Sequence, residues 1–169
     1  MNNKSILKII VIFFLSLPVI MNAQTSESSQ EIYKAEIEGW LVNIDEAYAI
    51  SNKTGKPIMA NFTGSDWCGW CKRLKASVFD KEEFKTWARE NVVLLELDFP
   101  SRKKIPDAIR AQNTSLQQAF GVNGYPTIWV FHLKKDLEKN QFMIEALGKT
   151  GYSPSVQEFT DGVDSMMKK

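Results

Sequence analysis

Two cysteines, Cys68 and Cys71, are the only ones in the 169-residue chain, and two residues separate them. Residues three apart at the start of a helix share one face. That spacing suits a disulfide, whose Cα atoms must lie roughly 4.4–6.8 Å apart. The first cysteine then stands at the helix N-terminus, where unpaired backbone N–H groups and the positive end of the helix dipole favour a thiolate. Such a placement lowers a cysteine pKa from about 8.5 to between roughly 3.5 and 7.5. Cys68 is expected to attack a partner disulfide and Cys71, one turn deeper, to resolve the mixed disulfide. Lys72 adds positive potential nearby. A bridge between Cys68 and Cys71 closes almost no loop, so stabilising a scaffold does not explain it.

Other chemistries of a Cys-x-x-Cys pair fit less well. Structural zinc takes four ligands, and the chain offers two cysteines and a single histidine, His132. Covalent haem attachment needs a histidine after the second cysteine, where Lys72 stands. No metal and no cofactor is expected. His132, at a strand end with no evident partner, reads as a surface residue.

The elements that must hold the pair follow from periodicity. Asn43 to Lys53 carries helical spacing and stops at Thr54-Gly55. Ile58 to Phe62 is a short apolar run suited to a buried strand, and the turn Thr63-Gly64-Ser65-Asp66 delivers Trp67 and Cys68 directly after it. A helix is expected from Gly69 to Val78, and Asp80 to Glu83 has capping-box form ahead of Phe84, Trp87 and Ala88. Val92 to Asp98 reads as a central strand. Phe99 to Asn113 reads as a Pro-punctuated insertion, and Ser115 to Phe120 as a helix stopped by Gly121. Thr127 to Phe131 is a strand, Phe142 to Leu147 a hairpin partner, and Ser153-Pro154 the start of a terminal helix. Strands and helices alternate, which makes an α/β layout with helices on both faces of one sheet.

Trp67-Cys68-Gly69-Trp70-Cys71-Lys72, the strand before it and Tyr125-Pro126-Thr127 before a later strand resemble the thioredoxin superfamily. The wording Phe-Thr-Gly-Ser-Asp-Trp-Cys-Gly-Trp-Cys-Lys is most similar to the periplasmic thioredoxin-like branch that includes the C-terminal domain of the membrane electron-relay reductase. The resemblance implies a three-layer α-β-α sandwich with a central mixed sheet. It implies a cis bond before Pro126, beside the cysteines, and a substrate groove made by Trp67, Gly69, Trp70, Tyr125, Pro126 and Thr127. The implied partners are protein disulfide or dithiol substrates and a redox partner protein. Three departures stand out. Gly69-Trp70 replaces the usual Gly-Pro, leaving the direction of electron flow open. Asn61 occupies the slot of the buried acid, so Asp66 or bulk water would have to move the proton. The segment 99–113 lengthens the connection to Pro126.

Lys4 and Lys8 precede an apolar run from Ile9 to Met21, then Asn22-Ala23-Gln24 and a polar stretch. This is the pattern of a secretory signal peptide over residues 1–23, cleaved after Ala23. The run falls short of the roughly 20 residues that span a bilayer, against the competing reading of an uncleaved anchor. Residues 24–39 read as a polar lead-in and 40–169 as the domain, periplasmic or secreted, with the mature part off the membrane and monomeric. With 21 basic and 20 acidic side chains the charge is balanced, which disfavours nucleic-acid binding. A net oxidase or isomerase, and a binding or chaperone module with dispensable cysteines, are the rival functions.

Overall fold

A computed structural model describes residues 33–136 and 141–168. The expected leader, residues 1–23, and most of the lead-in lie outside the described residues.

The order of elements is α1 (Ile44–Thr54), β1 (Ile58–Thr63), α2 (Gly69–Leu74), a π-helical turn (Lys75–Phe79), α3 (Glu82–Asn91), β2 (Val93–Asp98), α4 (Asp107–Ala119), β3 (Thr127–Asp136), β4 (Gln141–Thr150) and α5 (Val156–Met167). The four strands form one sheet in the order β2-β1-β3-β4. β1 runs parallel to β2 and antiparallel to β3, which pairs antiparallel with β4. The sheet is therefore mixed, as expected.

The period-2 alternation of a strand sorts side chains between the two faces. Ile58, Ala60 and Phe62 of β1 join Val93, Leu95 and Leu97 of β2 in a cluster with Ala47 of α1 and Phe120, which follows α4. Met59 of β1 and Ile128 and Val130 of β3 face the other way, against Leu74, Phe84 and Phe159 of α2, α3 and α5. Two helices cover one face and three the other, completing the α-β-α sandwich. On the second face, rings lock the end of the motif helix. Phe79 lies with its centroid 4.9 Å from Trp40, 5.1 Å from Phe84 and 5.5 Å from Phe159. The π-helical turn lets consecutive residues Val78 and Phe79 both point inward.

Local chemistry explains most element ends. Asn43 caps α1, its side chain accepting from the backbone N–H of Asp45 and Glu46. Gly55 ends α1 at φ 75°, a left-handed conformation in which glycine carries no Cβ penalty.

Three expectations need correction. Asp80 does not cap α3: its carboxylate pairs with Lys75 at 2.6 Å, and Lys81 stands at the cap without a side-chain bond. α5 is capped by Ser155, which accepts from Glu158 N–H, rather than by Ser153, whose carbonyl accepts from the Ser77 hydroxyl. Much of 99–113 is helical. α4 begins at Asp107, and its inward stripe of Ile109, Gln112, Asn113, Leu116 and Gln117 is more than half amide, so hydrophobic periodicity gave no signal. The amides are used: Asn113 donates to the carbonyl of Asp98, and Gln112 accepts from Ile44 N–H while donating to the carbonyl of Val42.

The end of the lead-in is bonded to β2, Glu36 N–H and Ile37 N–H donating to the Glu96 carboxylate, and the start of the domain continues along that strand. Leu41 bridges to Leu95 along the free side of β2, Leu41 N–H donating to Leu94 and Glu96 N–H to Leu41. Ile37 and Trp40 are both buried.

Candidate active site

Cys68 occupies the N-cap of α2, in extended conformation, straight after the turn that leaves β1. Its backbone N–H and that of Trp67 both donate to the carbonyl of Gly64, which fixes the turn. The sulfur of Cys68 accepts the backbone N–H of Cys71 at 3.1 Å. The two cysteines form a disulfide across a Cα–Cα distance of 5.3 Å. An N-cap normally takes an oxygen acceptor for one of the orphan N–H groups of the first turn. Here sulfur takes that place, so negative charge on it would be met by a donor already aimed at it.

Whole-residue exposure does not separate the pair, at 5% for Cys68 and 7% for Cys71. Position does: Cys71 lines a cavity with residues of β1, β2 and the lead-in, whereas Cys68 directly follows the exposed Trp67 and stands two residues before the exposed Trp70, at 48% and 53% exposure.

Two aspartates brace the turn. Asp98, at the end of β2, accepts from both the backbone N–H and the hydroxyl of Ser65. Asp66 returns the support, accepting the backbone N–H groups of Ser101, Arg102 and Lys103. The Ser101 N–H foremost, with the other two, holds the Asp66 carboxyl below its ordinary range. Asp66 is therefore turned to the 101–103 loop and made a poor proton acceptor, contrary to the part in proton transfer that the sequence left open for it. Lys72 donates to the backbone carbonyl of Asp66.

Of the residues expected in the groove, Trp67 and Tyr125 are in contact. The Tyr125–Pro126 bond is cis. Tyr125 packs edge-on against Trp67 with centroids 5.7 Å apart, and its hydroxyl accepts from Gln117. Burial first, and then the charge of Asp98, push the Tyr125 hydroxyl pKa up. Trp67 donates its indole N–H to the carbonyl of Phe99. Thr127 uses its hydroxyl to hold the Gly124 carbonyl, so it serves the bend before β3. A Cβ on Gly69 would meet no atom within 4 Å, which leaves the space beside Cys68 open.

Sequence reading missed Tyr152. It packs 4.9 Å from Trp70, and a Cβ on the neighbouring Gly151 would lie 3.5 Å from the Pro126 carbonyl. It also missed Glu96, a charged residue among the leucines of β2, and that interruption was the available signal. His132 sits in register opposite Glu145, on β3. Among the described residues no group of three or more His, Cys, Asp or Glu could hold a metal ion.

A sequence profile described as a thioredoxin-like domain matches residues 44–136, more than half of the chain and a segment that includes both cysteines and the Tyr125–Pro126 bond. The chain belongs to the thioredoxin-like family. Within that family it is similar to the disulfide bond reductase DsbH of Chlamydia pneumoniae, at 36% identity over 83 residues, 49% of this chain and 50% of that one. It is also similar to the thioredoxin-related protein DsbJ of the same organism, at 28% identity over 112 residues, 66% of this chain and 30% of that one. The chain thus spans half or less of the curated relatives it matches. The thioredoxin-like fold agrees with a solved DsbH oxidoreductase structure at TM-score 0.65 and 28% identity, covering 82% of this chain and 90% of that one. A thioredoxin from Thermus thermophilus matches in fold, with TM-score 0.52 and 17% identity over 73% of this chain and 82% of that one. No helix among the described residues is long and apolar enough to cross a membrane.

Proposed function

We propose that this chain is an exported thiol–disulfide oxidoreductase that reduces disulfides in exported proteins or relays electrons to them. The observation that carries the reading is the placement of Cys68. Its sulfur caps a helix, is bonded to Cys71, and is bordered by exposed aromatic side chains.

In the reduced state the Cys68 thiolate attacks one sulfur of a substrate disulfide and releases the other as a thiolate, which takes a proton. Cys71 then loses its proton and attacks Cys68, re-forming the Cys68–Cys71 disulfide and releasing the second substrate thiol. A dithiol redox partner returns two electrons and two protons to the enzyme. Trp67, Gly69, Trp70, Tyr125, Pro126 and Thr127 form the surface on which an extended substrate segment lies. Aromatic faces with few fixed polar groups suit varied sequences. Reduction is the favoured direction because the similar DsbH is a disulfide bond reductase. The leader pattern at residues 1–23 supports export to the periplasm or beyond, with the mature chain acting as a monomer.

Insulin reduction with dithiothreitol as electron donor tests the activity. The Cys68→Ser variant loses turnover, and the Cys71→Ser variant accumulates protein partners as mixed disulfides. Normal insulin reduction by the Cys68→Ser variant overturns the proposal. A reduction potential near about −270 mV fits a reductase, and one near about −120 mV an oxidant.

A further inference from the structure

Resolution of the mixed disulfide requires Cys71 to give up a proton away from solvent, and neither Asn61 nor Asp66 is fitted to take it. Cys71 lines a cavity of about 70 Å³ together with Asn61 and Thr63 of β1, Glu96 of β2 and Ile37 of the lead-in. A single water needs roughly 10–15 Å³, so the cavity has room for water between these groups. Its walls are polar enough to hold one. Asn61 Oδ1 is buried and has no hydrogen-bond partner among the described residues.

Two acids line this cavity, and Glu96 is the buried one; Glu36 is half exposed and pairs with Lys103. Glu96 is 1% exposed, and Asn61 is its register partner across the parallel β1–β2 pair. Both lie on the sheet face that Met59 and Leu94 present to α2, α3 and α5. The carboxylate accepts the Glu36 N–H at 2.7 Å and the Ile37 N–H at 3.3 Å. No cation pairs with it among the described residues. Lys72 and Lys75 line the cavity, but their ammonium groups donate to the Asp66 carbonyl and the Asp80 carboxylate, and Lys103 pairs with Glu36. The other charged or titratable neighbours are Asp98, Glu36 and Tyr33. Burial foremost pushes the Glu96 carboxyl up to about 7, opposed by the Glu36 N–H and assisted by the charge of Asp98.

We infer that Glu96 is the proton acceptor for Cys71, taking the thiol proton through the cavity as Cys71 attacks the Cys68 mixed disulfide. The inference rests on the oxidoreductase reading above and adds a positioned acid to it. The Cys71 S–H bond breaks and its proton passes to the Glu96 carboxylate. The Cys71–Cys68 bond forms as the bond from Cys68 to the substrate sulfur breaks, and the substrate leaves as a thiolate. When the dithiol partner reduces the enzyme, the proton returns from Glu96 to the Cys71 thiolate. A carboxyl group that titrates close to neutrality can serve in both directions. The acid thus stands one strand over from the slot that Asn61 fills.

The test uses the reduced full chain and 5,5′-dithiobis(2-nitrobenzoate) in stopped flow. The first thionitrobenzoate released reports attack by Cys68, and the second reports resolution by Cys71. In Glu96→Gln the second release is read relative to the first within each trace. The second slows by about 10²-fold at neutral pH, the low end for general acid–base catalysis, and then rises with pH as hydroxide takes over. Glu96→Asp restores part of the rate with a displaced inflection. An unchanged second release in Glu96→Gln overturns the inference while leaving the oxidoreductase reading intact. Failure of the wild type to give the first release sinks that reading instead. A second measurement needs no variant: the carboxyl carbon of Glu96, followed by NMR, titrates differently in the dithiol and disulfide forms. Identical titration in both forms also overturns the inference.

Discussion

Trp67 lies so close to Gly64 that a Cβ on residue 64 would stand 2.4 Å from the Cε2 atom of the indole. Gly64 also accepts the N–H groups of Trp67 and Cys68, so backbone and side chain meet at one residue. Gly64→Ala must therefore push the ring out, because a contact under 3.0 Å is not sustained. The displaced indole loses its bond to Phe99 and its packing on Tyr125. We expect a stability loss of about 1–3 kcal/mol, as in other overpacked sites, and a changed tryptophan emission. Equilibrium denaturation with fluorescence detection measures both, and a wild-type midpoint and spectrum would refute the expectation.

The outer rim of the groove tests differently. Trp70 and Tyr152 pack edge-to-face at 53% and 40% exposure, and Arg73 lies 4.7 Å from the Trp70 ring centroid. Removing exposed side chains costs little stability, within about 0.5 kcal/mol. Trp70→Ala and Tyr152→Ala are therefore expected to melt like the wild type. Each raises KM for a protein disulfide while leaving the reaction with a small disulfide reagent unchanged. Equal losses on both substrates would remove these residues from the substrate surface.

Glu96 gives the chain a pH dependence of definite sign. Its carboxyl holds a proton up to about pH 7 when folded, against an ordinary value of 4.5. Between those values the native state binds more protons than the unfolded chain, so stability falls as pH rises. The cost is absent below about pH 4.5 and complete above about pH 7. A shift from 4.5 to about 7 corresponds to about 3 kcal/mol. Asp66, Glu82 and Glu145 are shifted the other way, and their contributions are lost in more acidic solution, outside this window. Urea midpoints of the disulfide form at about pH 5 and about pH 8 measure the slope. Glu96→Gln is expected to flatten it.

Asn113 is the buried residue of α4, and its amide donates to the Asp98 carbonyl and accepts from Gln112. Asn113→Ala leaves a buried carbonyl unpaired at the end of β2, for a cost of about 1–3 kcal/mol. Asp98 holds Ser65, so the damage is expected to spread to the turn before Cys68. Faster hydrogen exchange at residues 64–68 is the readout, and unchanged exchange there would refute the coupling.

The central strands and the redox pair were legible because their signals are local. Apolar runs bounded by turns marked β1 and β2, and Cys-x-x-Cys fixed the start of α2. α4 was illegible because its inward positions are amides satisfied by distant backbone groups, a tertiary arrangement that periodicity does not carry. Glu96 was passed over for a related reason. Its depth depends on parallel pairing with β1, which places it beside Asn61, and on the lead-in that covers it. Tyr152 lies 82 residues after Trp70 and reaches it only through the fold.

The carboxylate inside the cavity is fastened to Glu36 and Ile37, a few residues ahead of the compact unit's first buried tryptophan. A chain trimmed to begin at Trp40 would keep every helix and strand yet strip that carboxylate of both its donors. The same stretch covers it, so trimming would also relieve the burial that chiefly raises its pKa, and the carboxyl would ionise at lower pH. On the role inferred for Glu96, resolution by Cys71 is tuned from upstream, by a short stretch of main chain that contributes no reactive group of its own.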